Sequence, residues 1–147
     1  MEELHNALKK VLADTFKMYF KTHSYHWNVI GPNFPQYHGF FGDLYEELHG
    51  AVDPIAEHIR AVDSFAPSSL NRIDELSDIP EADTIPTAEK MIQNLLKDND
   101  IVISSLKVAY GLADKEGELG LANFLQDRMD IHAKHGWMLK ATSGQKP

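Results

Sequence analysis

Apolar residues recur at steps of three and four along nearly the whole chain. The recurrence is interrupted at Gly31-Pro32, across the stretch from Pro67 to Pro86, and at Gly117. Steps of that size line up on one side of an α-helix, so each segment has a buried stripe and needs another helix to cover it. In the first segment Leu8, Leu12, Thr15, Tyr19, Thr22 and His26 fall within about 40° of a common direction. Gly31-Pro32 is a stop signal for that helix.

The second helix is expected to start at Asn33 as a cap, with Pro35 in its first turn, and to run to about Phe65, a length of ~45 Å. Pro54 lies inside it and removes one backbone hydrogen bond. The amphipathic pattern continues through Ile55, Ile59 and Val62, so one helix is expected, with a break at Pro54 as the alternative. Ser68 or Ser69 can cap a short helix from Leu70 to Leu76. Ser77 to Ile85 is acidic and loop-like. Pro86 opens a third long helix whose apolar face is Ala88, Met91, Ile92, Leu95, Val102, Leu106 and Ala109. It stops near Gly117. A fourth runs from about Glu118 to Ala141 with Leu121, Leu125, Met129, His132, Gly136 and Leu139 on one face. No strand alternation or repeat stands out. The expected architecture is all-α: a ferritin-like four-helix bundle over residues 1-147 as one domain, with a short helix in the long crossover between helices 2 and 3.

The absence of cysteine excludes a disulfide framework, a thiolate metal site and a cysteine nucleophile, and leaves eight histidines as nitrogen donors. No run is apolar and long enough for a bilayer, and Met1-Glu2-Glu3-Leu4-His5 lacks the basic start of a signal peptide, so a cytoplasmic protein is expected. Acidic residues outnumber basic ones, 22 to 14. That balance argues against general affinity for nucleic acid, which rests on phosphate neutralisation.

The stretch from His26 to Glu57 carries the chemistry. On the second helix, His38, Gly42, Tyr45, Glu46, His49, Asp53 and Glu57 form a stripe about 120° wide. Asp53 and Glu57 are one turn apart and can share a metal. His38 lies ~22 Å from Asp53 along the axis, whereas metal–ligand bonds are ~2 Å, so one straight helix cannot bring both to one ion. Two antiparallel copies remove the difficulty. A two-fold axis near Glu46 and Glu47 sets His38 of one subunit opposite Asp53 and Glu57 of the other and makes two identical sites. His26 reaches the same region if the turn at Gly31-Pro32 folds the first helix back. Taken singly, His26 reads as a hydrogen-bonded core residue, Asp53 and Glu57 as a solvated face or partners for Arg60, and Trp27, Tyr45 and Phe41 as packing.

The run His26-Trp27-Asn28-Val29-Ile30-Gly31-Pro32-Asn33-Phe34, followed by His38, Asp53-x-x-x-Glu57 and Trp137-Met138-Leu139-Lys140-Ala141, resembles the Dps family of miniferritins over nearly the whole chain. The resemblance implies a homo-dodecameric shell that oxidises iron(II) with hydrogen peroxide or dioxygen and stores iron(III) mineral. It implies His26 and His38 as ligands from one subunit and Asp53 and Glu57 from its partner. Zinc suits the same donors. The family often has an aspartate four residues after the second histidine, where this chain has Gly42. His49 either supplies a replacement ligand or packs in the dimer contact. A DNA-compacting protein and a metal-binding cage with weak ferroxidase activity are the competing readings. The first suffers from the acidic start and the few lysines, Lys140 and Lys146, beyond Trp137. Glu46-x-x-His49 resembles half of an ordinary ferritin site inside one bundle, but a second such motif is found only at Glu2-x-x-His5, at the start of the chain.

Overall fold

The structure is a computed structural model and describes residues 1–147 apart from Ala82. The described residues form five helices and no strand: α1 (Glu2–Asn28), α2 (Phe34–Ala61), α3 (Leu70–Leu76), α4 (Ala88–Lys115) and α5 (Leu119–Thr142). Helix α1 packs on α2 and α4, α4 packs on α5, and α3 lies against α1. Two antiparallel hairpins, α1–α2 and α4–α5, are thus joined by a crossover that carries α3. None of the described helices is long and apolar enough to cross a membrane.

The stripes meet where the periodicity places them. Leu8 and Leu12 of α1, Leu48 and Ile55 of α2, and Leu95 and Leu106 of α4 are buried in one continuous core. The stripe of α5 is different, because Arg128, His132 and His135 are buried among Leu121, Leu125 and Leu139. Buried polar groups must be hydrogen-bonded to be tolerated, and these three are partners in a network described below.

Helix α2 is continuous through Pro54. The carbonyl that loses its donor is that of Gly50, an exposed residue, so water can satisfy it. The helix ends at Ala61, short of Phe65. Asp63 adopts a left-handed conformation (φ 66°), and the Ser64 N–H returns to the Ile59 carbonyl at 3.1 Å, closing the last turn. Gly117 (φ 74°) performs the same closure between α4 and α5, with the Glu118 N–H on the Ala113 carbonyl. Helix α3 starts as its sequence indicates, with the Ser69 hydroxyl accepting from the Arg72 N–H. Helix α4 begins two residues after Pro86, capped by Thr87 through the Lys90 N–H. Asn33 takes the cap position of α2 without a side-chain hydrogen bond.

The crossover is fastened at one point. Asp14, fully buried on α1, accepts from the Ser77 hydroxyl (2.7 Å), the Asp78 N–H (2.9 Å), the Lys10 ammonium (3.1 Å) and the Ser105 hydroxyl of α4. One carboxylate thereby ties two helices of the bundle to the end of α3.

Candidate metal centre

His26 ends α1 and His38 lies in the second turn of α2, and the short connection between the helices brings them together. Each ring is held by the other residue's backbone. The His26 Nδ1 is 2.7 Å from the His38 carbonyl, and the His38 Nδ1 is 2.7 Å from the His26 carbonyl. A carbonyl only accepts, so both Nδ1 atoms carry the proton and both Nε2 atoms are left with their lone pairs. The rings stack at 3.8 Å, 15° from parallel, and the Phe34 ring lies 4.9 Å from that of His38. A backbone bond on one nitrogen that fixes the other for metal is the usual outer support of a histidine ligand.

Gly42 stands directly beneath this pair. A Cβ there would lie 3.2 Å from Cε1 and 3.3 Å from Nδ1 of His26. The missing side chain makes room for the imidazole in its clamped orientation, so an aspartate at this position would press on the ring it is meant to assist.

Aromatic rings enclose the other side. His23 stacks on Tyr45 at 3.8 Å and 7°, faces Trp27 at 4.2 Å, and its Nδ1 is 3.0 Å from the Tyr19 hydroxyl. His49 lies 4.8 Å from the Tyr19 ring. It is seven residues from Gly42, ~10 Å along α2, and within one chain it does not occupy the space beside His26. Tyr45 and Phe41 pack as their alternation on α2 indicates, with Phe41 fully buried. Trp27 remains 56% exposed and covers His23 from outside.

Asp53 and Glu57 are exposed on the last turns of α2. A hydrogen bond from one carboxyl to the other, and the negative charge of Asp53, raise Glu57 above the ordinary carboxylate range. Two carboxylates this close repel each other, and a cation between them relieves that repulsion. Arg60 is turned away from them, donating to the Ser64 carbonyl at 3.0 Å and lying over the Phe65 ring. The imidazole pair and the carboxylate pair stand at opposite ends of one stripe. Among the described residues, no three histidine or carboxylate groups of one chain converge on a point that could hold an ion.

Four histidines serve elsewhere: His5 bonds the Val62 carbonyl (2.7 Å), His58 packs on Phe124, and His132 and His135 join the bundle interior. That interior network escaped the sequence reading, although Arg128, His132 and His135 share one face of α5. Arg128 donates to both oxygens of Glu47 (2.6 and 3.1 Å), and Nε2 of His135 lies 2.7 Å from Glu47. Arg128 also donates to Nε2 of His132 at 3.1 Å, which leaves the His132 Nδ1–H to donate to the Asn99 side-chain carbonyl at 2.7 Å.

These contacts give the fold a pH dependence. Burial, then the charges of Arg128 and His135, pull His132 from 6.5 to about 3. The unfolded chain binds a proton there, between those values, that the folded chain refuses. Stability therefore falls as pH drops from 6.5 toward 3. Burial pushes Glu47 up, but hydrogen bonds from His135 and Arg128 outweigh it and bring it from 4.5 to about 2. Its contribution is complete above 4.5 and is lost as pH falls toward 2. Thermal melting in a pH series should show a midpoint that declines below pH 6.5 and steepens below 4.5. His132→Asn should flatten the upper leg. A His132→Asn slope equal to that of the unaltered chain would remove His132 as its source.

A ferritin-like domain model matches residues 5–145. General stress protein 20U of Bacillus subtilis is 34% identical over 143 residues, covering 97% of this chain and 99% of that protein. DNA protection during starvation protein 2 of Bacillus anthracis is 31% identical over 144 residues, covering 98% and 99%. The crystal structure of a Dps protein from Bacillus brevis superposes with a TM-score of 0.90 at 32% identity, over 95% of this chain and 93% of that one. Helices, crossover and chain length all correspond, and the match runs almost from end to end: the chain belongs to the Dps family of ferritin-like proteins.

Proposed function

We propose that this protein is a ferroxidase and iron store, a closed shell of twelve chains that oxidises iron(II) with hydrogen peroxide or dioxygen and holds the iron(III) mineral inside. The observation that carries the reading is the reciprocal clamp of His26 and His38, which leaves both Nε2 lone pairs free on rings stacked 3.8 Å apart. The exposed Asp53 and Glu57 pair supplies hard oxygen donors suited to iron(III) as it forms. A two-fold axis near Glu46 joins the histidines of one chain to the partner subunit's Asp53 and Glu57. In the reaction two iron(II) ions each give one electron to a hydrogen peroxide. Its O–O bond breaks, water supplies the remaining oxygen, and protons are released as iron(III) oxyhydroxide forms. Consuming both reactants denies them the one-electron encounter that yields hydroxyl radical.

With Gly42 in place of a carboxylate, four residues form the ligand set, and zinc fits the same donors. The contact of His49 with Tyr19 supports a packing role for it. The excess of acidic residues weighs against DNA compaction as the principal function. Crystals of the assembled protein soaked with iron and measured at the iron absorption edge test the assignment. Anomalous density is expected between His26 and His38 of one chain and the partner subunit's Asp53 and Glu57. Density inside a single bundle, with none at the subunit contact, would overturn it.

A further inference from the structure

The interior network of Glu47, Arg128, His132, His135 and Asn99 has no part in the shared centre; it holds one carboxylate and two imidazoles, the donors of a cation site, which do not converge on one point with Arg128 among them. Glu47 comes from α2, Asn99 from α4, and the two histidines from α5. Glu47 and His132 meet the Arg128 guanidinium directly, while His135 joins through Glu47 and Asn99 through His132. Its two terminal nitrogens reach both Glu47 oxygens and Nε2 of His132. An arginine only donates, so His132 meets it as a neutral imidazole with its lone pair facing the positive charge. Asn99 enforces that tautomer from the far side, and its own amide nitrogen is held by the His132 carbonyl at 2.9 Å. His135 completes the ring on Glu47. Among the described residues, Arg128 Nε is buried with no acceptor, so the cavity satisfies the terminal charge better than the rest of the side chain.

We infer that Glu47, His132 and His135 form a latent divalent-cation site in the bundle interior, and that the Arg128 guanidinium occupies it and keeps metal out. One carboxylate and two imidazoles are the donors that zinc, cobalt(II) or iron(II) takes. The two imidazoles lie 5.3 Å apart between ring centres and nearly perpendicular, an arrangement from which both can turn toward one ion. In the native chain the guanidinium stands between Glu47 and His132. Arg128 is thus a specificity residue: it confines metal to the subunit contact and denies the bundle a centre of its own. The inference goes beyond the shared ferroxidase site and stands independently of it.

Cobalt(II) titration of the assembled protein, followed by visible absorption, tests this in a His26→Ala, His38→Ala background that lacks the histidines of the shared site. With Arg128 present, no imidazole-ligated cobalt is expected inside the bundle. Adding Arg128→Ala should produce one cobalt per chain with the intense bands of a low-coordinate site, and a further His135→Ala should abolish them. Arg128→Met fills the guanidinium's volume without its charge and serves if the alanine variant fails to assemble. An assembled Arg128 variant that gains no cobalt would overturn the inference. So would an interior cobalt that binds with Arg128 in place and is lost with His135→Ala. Failure of both Arg128 variants to assemble would also overturn it, by showing the charge to be a requirement of the fold.

Discussion

His26→Ala combined with His38→Ala should slow iron(II) oxidation by more than about a hundredfold while leaving the shell assembled, and Asp53→Ala with Glu57→Ala should do the same. The residues are on the surface of the isolated chain or partly buried, so neither pair is part of its core. The stronger result comes from mixing the two double variants. A heterodimer of them has one contact that receives both defective ligand sets and one that receives both intact sets. Co-assembled shells should therefore regain part of the activity that each parent lacks. Stopped-flow oxidation kinetics on shells of verified mixed composition provide the measurement. Absence of any recovery would place the ligands within one subunit and refute the shared centre.

Asp14→Ala should cost roughly 3 kcal/mol of stability, because removing this buried carboxylate strips four donors of a shared acceptor and only Lys10 (on Asp78) and Ser105 (on the Ile101 carbonyl) keep another. The damage should concentrate in the crossover. Protease cutting or hydrogen exchange near Ser77 to Ile79 should accelerate well before the long helices open. Asp14→Asn keeps one acceptor and should lose less. Denaturation at fixed protein concentration gives the comparison, since assembly contributes to the apparent value. Equal midpoints for Asp14→Ala and the unaltered chain would show that the crossover is held by apolar packing of Ile73 and Ile79 instead.

Much of the fold was legible because it rests on periodicity. The stripe of α4, from Ala88 through Leu106 to Ala109, is buried residue for residue. The short helix α3 falls where Ser69 can cap it. The end of α2 was less legible. The apolar pattern extends to Phe65, but the backbone reverses at Asp63, and a left-handed aspartate has no periodic signature. The continuity of α2 through Pro54 follows its amphipathic pattern, and the alternative of a break does not occur because the carbonyl that Pro54 orphans belongs to exposed Gly50.

The site was readable to the extent that it is local in sequence. The spacing of His26, Gly31-Pro32 and His38 is enough to put two imidazoles beside one turn. Their mutual backbone bonds were not readable, since those depend on ring rotation. Glu47 is more than eighty positions of chain from Arg128 and from His135, and nothing in the stripe of α5 says which carboxylate its arginine meets. His132 was placed on the apolar face correctly, and its burial is that of a hydrogen-bonded core histidine. The same bland reading had been open for His26, and only the free Nε2 distinguishes the two.

The clamp at the start of α2 has a consequence for how this protein loses function. His26 and His38 are each other's splint: a substitution at either removes a stacked ring from the other and, if the backbone shifts, its carbonyl as well. In the proposed centre they act as one pair of donors whose torsions are set when α1 and α2 dock. Under the proposed function, losing one histidine should therefore cost nearly what losing both costs, and the Gly31-Pro32 turn sets how the two rings face each other.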